Sequence, residues 1–223
     1  MKKVILAGNA VTAEILNSYL EKDKRYEVIA LTVDDEFAEQ AGIKGLESVP
    51  LSLLAAAHKP YDCVVIMAMG YNDLNQARES LFLRLKGMGY QIETYVHPDA
   101  HIFTQYPLGE GSIILPSAVI EPHVRVAENT MIWCNATLAH HSCVDEHCWV
   151  ASGAVISGKA YVKHNSFIGV NATVVNEVVI AENNIIGGGA LITKNTKENT
   201  VHLARSGEEL RFSSQEYDKY FGV

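Results

Sequence analysis

The sequence has no run of basic residues and no apolar stretch of about twenty residues, the length needed to cross a bilayer. We therefore expect no membrane insertion. The net charge of −8 argues mildly against nucleic acid or an acidic membrane as the main partner. The opening residues MKKVILAGNA place two lysines before an apolar run, but VILAG is too short for the core of a signal peptide. We interpret this run as a first β-strand.

Cysteine is also scarce. The chain of 223 residues has four cysteines, which form no CxxC pair: Cys63, Cys134, Cys143 and Cys148. Free thiols in a reducing compartment are therefore favoured over disulfides or a metal site. Hydrophobic residues make up 48% of the chain and charged residues 20%, which are ordinary proportions for a soluble protein. We expect a cytoplasmic location.

What the sequence does contain is a six-residue repeat that continues from residue 96 to residue 197 without a slip. The first position of every hexad is a branched aliphatic residue: Val96, Ile102, Leu108, Ile114, Ile120, Val126, Ile132, Leu138, Val144, Val150, Ile156, Val162, Ile168, Val174, Ile180, Ile186 and Ile192. The fifth position is mostly small, as in Ala118, Ala136 and Ala154. A fixed period of this kind marks stacked units that bury a continuous core only by packing on one another.

Two apolar positions in six fit neither a helix nor a simple strand alternation, but they fit a short strand followed by a turn. The pattern resembles the left-handed parallel β-helix of hexapeptide-repeat transferases, in which three hexads close one triangular coil. Residues 18 apart would then stack at about the 4.7–4.9 Å spacing of neighbouring strands. We expect between five and six coils.

The first 95 residues follow a different pattern, in which apolar strands alternate with helices. We predict strands at residues 4–7, 26–33, 62–69 and 91–96, and helices at residues 12–20, 50–58 and 76–86. This order is typical of a small, Rossmann-like parallel sheet. We therefore predict an α/β Rossmann-like domain over residues 1–95, an all-β left-handed parallel β-helix over residues 96–197 and a C-terminal extension over residues 198–223.

Ligands of such sheets bind beyond the carboxyl ends of the strands. Those ends carry the substrate-binding candidates Gly8, Asn9, Ala10, Val11, Asp34, Asp35, Met69 and Gly70. The first turn lacks the GxGxxG pattern, so bound NAD is not expected, although small residues before a helix N-terminus favour an anion. Two interpretations of the aspartates remain open. They accept hydrogen bonds from a ribose or base, or they cap the next segment.

Residues 138–144, with the sequence LAHHSCV, carry the most specific signal. Combined with an α/β domain joined directly to an uninterrupted hexad repeat, this segment resembles the sialic acid O-acetyltransferase and bacillosamine N-acetyltransferase group of bacterial sugar acyltransferases. The resemblance covers residues 4–206. In that group a His-Asp/Glu-Cys-Val stretch carries the catalytic histidine, and His141 falls on it. Ser142 stands where the group has its acidic residue, so another group must orient the imidazole.

The resemblance implies an acetyl-CoA-dependent enzyme that acetylates an amine or hydroxyl of a nucleotide-activated sugar, for surface polysaccharide or glycan biosynthesis. It also implies a homotrimer in which acetyl-CoA and the acceptor meet between neighbouring prisms. The N-terminal domain would hold the nucleotide. We expect flat prism faces with exposed residues such as Trp133 and Trp149 to pack in this trimer.

Acyl transfer needs a base near neutral pH, and histidine suits that role. His141 lies at the fourth position of its hexad, pointing away from the core. His123 and Lys159 lie 18 residues before and after it, and His140 and His147 are close in sequence. We predict His141 as the catalytic base, supported by His140, Ser142 and His123. The alternative is that these histidines are solvated surface residues.

Small residues also recur 18 apart, and they would let a pantetheine arm lie against the backbone. The acetyl-CoA candidates, carried chiefly by the resemblance, are Ala151, Gly153, Gly169, Asn171, Gly187 and Gly189. The alternative is that bends of this fold prefer small residues anyway. No two histidines are five residues apart, the spacing of γ-class carbonic anhydrases, so we expect no metal. The alternative functions are a non-catalytic nucleotide-sugar-binding scaffold and a metalloenzyme that resembles γ-class carbonic anhydrases.

Overall fold

The computed structural model describes residues 1–39 and 42–222. Its N-terminal part has four parallel strands, β1 (Lys2–Ala7), β2 (Tyr26–Val33), β3 (Glu47–Pro50) and β4 (Val64–Met67), in the order β3-β2-β1-β4. The helices are α1 (Val11–Leu20), α2 (Leu54–Ala57) and α3 (Gln76–Gly87), with 3-10 turns at Asp35–Phe37 and Leu51–Leu53. The central strands β1 and β4 are buried aliphatic runs, as a parallel sheet covered on both faces requires.

Two parts of this region differ from the sequence prediction. Strand β3 lies outside the predicted strands, because it is four residues long and ends in Pro50, a residue that is also typical of a helix start. Its edge position explains why the sheet tolerates that proline. Residues 91–96 do not form a continuous strand. They make only a bridge between Val65 and Ile92 and a two-residue strand, Tyr95–Val96.

The repeat folds as a parallel β-helix, a triangular prism built from two-residue strands. These strands are Tyr95–Val96, His101–Ile102, Ile113–Ile114, Val119–Ile120, Arg125–Val126, Met131–Ile132, Thr137–Leu138, Cys143–Val144, Trp149–Val150, Val155–Ile156, Tyr161–Val162, Phe167–Ile168, Thr173–Val174, Val179–Ile180, Ile185–Ile186, Leu191–Ile192 and Val201–His202. They form three sheets of seven, six and four strands. Residues 18 apart pair from Tyr95 to Ile192, as Met131 does with Trp149, which confirms three hexads per coil. The last strand pairs at a spacing of 16, with Val201 beside Ile185.

The prism interior follows the hexad. The first positions from Ile114 to Ile192 are buried and form one aliphatic core, together with fifth positions such as Ala136 and Cys148. Every fourth position from Gly111 to Gly189 has a left-handed backbone, with φ between 50° and 72°. Asparagine, glycine and histidine recur there, because short polar residues and glycine tolerate this conformation best. The side chains at the fourth positions therefore line the three edges of the prism.

The N-terminal sheet domain covers the seven-stranded face of the prism. Met131 and Trp149 on that face pack in one apolar cluster with Leu16 and Leu20 of α1. Trp149 is only 4% exposed, and Trp133 packs against the same cluster. The expectation of an exposed side chain for trimer contacts is therefore wrong for Trp149, and Trp133 is half-buried. Their large apolar surfaces are used within the chain.

A buried arginine joins α3 to the prism. The Arg78 guanidinium donates to the backbone carbonyls of Asn129 (2.6 Å), His147 (3.2 Å) and Cys148 (3.1 Å), and to Oδ1 of Asn75 (3.1 Å). Complete burial lowers its pKa to about 10. Carbonyl oxygens solvate the charge in place of a carboxylate, so α3 is held at a defined position against the prism.

All four cysteines are free thiols, two of them buried and two half-buried. The C-terminal segment ends in helix α4 (Ser214–Phe221), whose Ser213 and Glu216 form a capping box. Among the residues described, no helix has both the length and the apolar character needed to cross a membrane.

Candidate active site

The predicted base lies on an open edge of the prism, where the six-stranded and four-stranded sheets meet. This His141 edge is the column of fourth positions Gln105, His123, His141, Lys159 and Glu177. His141 follows the strand Thr137–Leu138 and has φ of 61°. The left-handed bend turns its side chain outward, and the imidazole is exposed.

Two imidazoles contact that of His141. The His123 ring lies nearly parallel to it, with centroids 4.5 Å apart and planes 30° apart. The His140 ring stands almost perpendicular at 83°, and the two Nδ1 atoms are 3.3 Å apart. Desolvation lowers the pKa of His141, and electrostatic interactions with His123, His140 and Lys159 lower it further. His141 is therefore neutral near pH 7, which is the form that accepts a proton.

His140 is held from both sides. Its backbone N–H donates to Oε2 of Glu121 at 2.7 Å. Its ring lies over Gly158, one coil further along, where a Cβ would come within 2.7 Å of His140 Cε1 and 2.8 Å of Nε2. Because glycine has no side chain, the imidazole occupies that space.

His123 is fixed by Gln105. The Gln105 amide Nε2 lies 2.6 Å from Nδ1 of His123, and its Oε1 accepts the His123 backbone N–H at 3.3 Å. An amide nitrogen only donates, so Nδ1 of neutral His123 is an acceptor and the ring proton sits on Nε2. His123 therefore stacks on His141 in a defined tautomer.

Two sequence candidates of this group lie elsewhere. The Ser142 side chain points into the prism, is 1% exposed, and its hydroxyl has no hydrogen-bond partner. It therefore makes no hydrogen bond to His141, because the fifth hexad position faces inward. His147 was counted with the cluster, but it lies on the next edge, buried beneath α3, where Asn129 Nδ2 donates to its Nδ1 at 2.9 Å.

A second candidate site is a pocket of about 210 Å³ beyond the carboxyl ends of β1, β2 and β4. Its lining includes most of the predicted substrate-binding residues, namely Gly8, Asn9, Ala10, Asp34, Met69 and Gly70. It also includes residues that the sequence analysis missed, namely Val33, Phe37, Ala68, Asn72 and Leu81. Phe37 and Leu81 offer apolar surface for a flat ring. Val33 and Ala68 could have been predicted, because they lie at the carboxyl ends of strands, where ligands of such sheets bind. Leu81 could not, because it comes from α3.

Asp34 and Asp35 play different roles. The Asp34 carboxylate lines the pocket and forms an ion pair with Arg84 of α3, whose Nη2 lies 3.0 Å from Oδ2. Asp35 does not line it. Its Oδ1 accepts the backbone N–H of Ser52 at 3.0 Å. Hydrogen bonding to the Ser52 side chain, and secondly to its backbone, lowers the pKa of Asp35. The contact of Asp35 therefore agrees with the second interpretation, in which the aspartate caps a neighbouring segment of the chain.

The first turn closes the pocket tightly. Gly8 has φ of 137°, and a Cβ there would lie 2.4 Å from the carbonyl oxygen of Ala68. Only glycine allows the ends of β1 and β4 to approach so closely. Asn9 Nδ2 donates to the carbonyl of Phe37 at 3.1 Å, which ties the turn to the opposite wall. Val11 is exposed and lies outside the pocket lining, because it begins α1 and faces solvent.

The acetyl-CoA candidates lie away from His141. Ala151 and Gly169 are buried on the face covered by the N-terminal domain, and a Cβ on Gly169 would meet the Gly188 nitrogen at 2.6 Å. Gly187 lies beneath Leu203 of the C-terminal segment. Small residues are needed here for close backbone packing, which favours the alternative interpretation for these three positions.

The remaining candidates, Gly153, Asn171 and Gly189, line a third edge, between the seven-stranded and six-stranded sheets. That edge is separate from the His141 edge in one copy of the chain. Among residues 1–39 and 42–222, no group of three His, Cys, Asp or Glu side chains is arranged to hold a metal ion.

No family model matches the chain, and no curated protein matches it either. Solved structures do. The acetyltransferase domain of PglB from Neisseria gonorrhoeae FA1090 superposes with a TM-score of 0.80 at 19% identity, covering 94% of this chain and 100% of that chain. A mutant of perosamine N-acetyltransferase from Caulobacter crescentus gives a TM-score of 0.81 at 20% identity, covering 92% and 94%. WeeI from Acinetobacter baumannii AYE gives 0.75 at 18% identity, covering 90% and 95%.

The chain has the fold of these three proteins. Their architecture, a left-handed β-helix with an α/β part at its N-terminus, is the one predicted from the hexads and the first 95 residues. Coverage of nine-tenths or more of both chains means that the α/β part and the prism match together.

Proposed function

We propose that this protein is an acetyl-CoA-dependent acyltransferase that acetylates an amine or hydroxyl of a nucleotide-activated sugar, in surface polysaccharide or glycan biosynthesis in the cytoplasm. The observation that carries the proposal is the exposed imidazole of His141 on an open prism edge, in contact with the imidazoles of His123 and His140. The pocket at the strand ends of the same chain supplies a place for a nucleotide.

In the proposed reaction the acceptor amine or hydroxyl attacks the thioester carbonyl of acetyl-CoA. His141 takes the acceptor proton through its Nε2 as the tetrahedral centre forms. It then returns that proton to the sulfur of the departing coenzyme A. A positioned base of this kind contributes roughly 10²–10⁴-fold to a rate.

The nucleotide would occupy the pocket at Gly8, Asp34 and Met69. Phe37 and Leu81 offer the apolar surface that a base needs, and the N-terminus of α1 lies beside the turn, where it favours a phosphate. Contacts with the nucleotide would position the distant sugar for reaction, as remote binding energy does in other enzymes.

Acetyl-CoA would lie along the edge of Gly153, Asn171 and Gly189. Because that edge and the His141 edge are separate in one chain, a complete site needs a neighbouring copy, and we propose a homotrimer. The ligands bound in two similar solved structures support this assignment. The PglB domain was solved in complex with acetyl coenzyme A, and the perosamine N-acetyltransferase mutant with CoA and GDP-perosamine.

The deciding experiment incubates the purified protein with acetyl-CoA and a panel of nucleotide-activated sugars, and follows acetylated products by mass spectrometry. We expect one sugar to gain a single acetyl group at the same rate as free coenzyme A appears. Light scattering should give three times the chain mass. A monomer at micromolar concentration, or coenzyme A release without an acetylated sugar, would contradict the proposal.

A non-catalytic nucleotide-sugar scaffold is the second candidate, favoured by the well-formed pocket alone. It predicts binding of a nucleotide sugar with no turnover at all. Deleting residues 1–94 would not separate the two functions cleanly, because it would uncover Met131 and Trp149. Point substitutions in the pocket and at His141 are the better tools.

A further inference from the structure

The imidazole of His141 lacks the carboxylate that orients a histidine base in many enzymes, so some other group must hold its tautomer. A useful orienting group accepts the Nδ1–H and leaves Nε2 free to take a proton. The only ring contact of hydrogen-bonding type at His141 within residues 1–39 and 42–222 is the 3.3 Å approach of its Nδ1 to Nδ1 of His140.

We propose that His140 is a positioning residue whose Nδ1 accepts the Nδ1–H of His141, in place of a carboxylate. This inference deepens the proposed acyltransferase function and rests on it. The geometry fits, because the rings are nearly perpendicular and His140 therefore meets His141 at its edge. Neutral His140 then carries its own proton on Nε2.

The other neighbours of His141 cannot take this role. His123 is stacked nearly parallel on His141, so its ring nitrogens do not point along the plane of the His141 ring, and its Nδ1 is occupied by Gln105. Lys159 only donates, and its ammonium lies 3.4 Å from Glu177. Ser142 points into the prism.

Two residues, Glu121 and Gly158, hold the His140 ring in position. Glu121 fixes the backbone of His140, and Gly158 leaves the space that the ring fills. Gly158 has no left-handed backbone, so alanine is conformationally allowed there. An added methyl group would collide with the His140 ring, to which the three nearest atoms at that position all belong.

The proton balance is complete. His141 Nε2 takes the acceptor proton and becomes an imidazolium, whose Nδ1–H stays shared with His140 Nδ1. When the thioester carbon–sulfur bond breaks, the Nε2 proton passes to the sulfur, and neutral His141 returns with its original tautomer. Protonation of His140 at Nδ1 would remove the acceptor. The decrease in rate at low pH would therefore report on the two histidines together and not on His141 alone. The other charged groups facing it are His123, Lys159 and Glu121.

The first test is independent of turnover. Two-bond ¹H–¹⁵N correlation spectra of the free protein near pH 7.5 distinguish the two neutral histidine tautomers, with His141→Asn providing the assignment. We expect His141 with Nδ1 protonated, and we expect a mixture of tautomers in Gly158→Ala and in His140→Phe. Protonation at Nε2 in the wild-type protein would overturn the proposal.

The second test is kinetic and uses the sugar found to be a substrate. Gly158→Ala and His140→Phe should each lower kcat by roughly 10²-fold with KM for both substrates retained, since a base in the wrong tautomer loses most of its effect. His140→Gln, which keeps an acceptor oxygen, should recover part of the loss. Asn176→Ala, one coil above Gly158 in the same column, is the matched control and should keep wild-type kcat.

The outcomes separate the two proposals. If no sugar is acetylated but the spectra show the expected tautomer and its loss in Gly158→Ala, the histidine pair stands and the acyltransferase proposal fails. If a sugar is acetylated and Gly158→Ala changes neither the spectra nor kcat, the pairing is wrong and the enzyme remains. Thermal unfolding of each variant, followed by circular dichroism, confirms that it is folded.

Discussion

His141 and His147 occupy the same position in consecutive hexads and have nearly the same backbone, with φ of 61° and 60°. Their surroundings are opposite. His141 is exposed among other imidazoles, whereas His147 is 7% exposed beneath α3, with Glu79 Oε1 3.7 Å from its Nε2 and the Phe82 ring centroid 5.8 Å away. The hexad determines the direction of a side chain, and the element packed on that edge determines what the side chain can do.

The difference has a clear cause. The N-terminal domain covers one face of the prism and the edge beside it, because apolar residues of that face pack against α1 and Arg78 holds α3 at the edge. The His141 edge lies between the two sheets that the domain leaves open. Burial converts His147 into a packing residue, while exposure leaves His141 available to a substrate.

The largest expected effect comes from exchanging each histidine for asparagine, which tolerates the left-handed backbone as Asn129 and Asn165 do in the same structure. His141→Asn should lower turnover by roughly 10²–10⁴-fold, because the base is lost. Its urea unfolding midpoint should not change, since the side chain is exposed. His147→Asn should show the reverse pattern, with turnover per folded molecule retained. Equal loss of turnover in both variants would break the comparison.

The next largest effect concerns the attachment of α3. Arg78→Met leaves three backbone carbonyls without their charged donor, which should cost about 3 kcal/mol of unfolding free energy. Chemical denaturation measures this directly. Arg84→Met, which breaks only the exposed pair with Asp34, should cost less than about 1 kcal/mol and serves as the control. If Arg78→Met lowered the unfolding free energy no more than the control does, Arg78 would not be needed to hold α3 on the prism edge.

A smaller effect is expected at the nucleotide pocket, which lies on neither edge. Asp34→Asn should raise KM for the nucleotide sugar roughly 10- to 100-fold, because it weakens a charged hydrogen bond, and should leave KM for acetyl-CoA unchanged. Asp35→Asn is the matched control, since Asp35 contacts Ser52 and does not line the pocket. A larger effect at Asp35 than at Asp34 would mean that the ligand binds elsewhere.

The smallest effect is the pH dependence of stability at His147. Burial lowers the pKa of His147 below its ordinary value of 6.5, and Arg78 adds to the shift while Glu79 opposes it. Above pH 6.5 His147 is neutral in both the folded and the unfolded state, so protonation does not reduce the stability of the folded protein. As the pH falls below 6.5 the unfolded state binds the proton first, and stability should decrease by at most about 1.4 kcal/mol per pH unit. Urea unfolding at pH 7.5 and 5.5 should show a smaller decrease in His147→Asn than in the wild-type protein.

The repeat could be predicted from the sequence because its information is local. Each hexad carries its own inward aliphatic residue and its own bend, so Ile132, Leu138 and Val144 identify their positions without knowledge of any distant contact. The same logic placed His141 on an outward bend, but Ser142, predicted to support it, faces inward as its fifth hexad position requires. The strand-end rule similarly predicted Gly8, Asp34 and Met69, because parallel strands align their carboxyl ends at one edge.

The errors concern contacts between distant segments. Trp149 has an outward position in its hexad, and only the docking of α1 and its sheet buries it. His147 was grouped with His141 by sequence distance, although the bend between them moves them to different edges. Asp35 follows Asp34 directly, yet its partner is Ser52, and the position of the His140 ring depends on Gly158 one coil away.

By itself the sequence determined the coiled prism, the parallel sheet before it and the direction of each hexad side chain, because periodicity and backbone preference act over a few residues. Only the tertiary structure decided which face of the prism is covered, which of two equivalent histidines stays open and which neighbour holds its imidazole. Those outcomes depend on the packing of α3 and on residues 18 positions apart that meet only when the coil closes. A short-range pattern cannot encode which distant surface will exclude water.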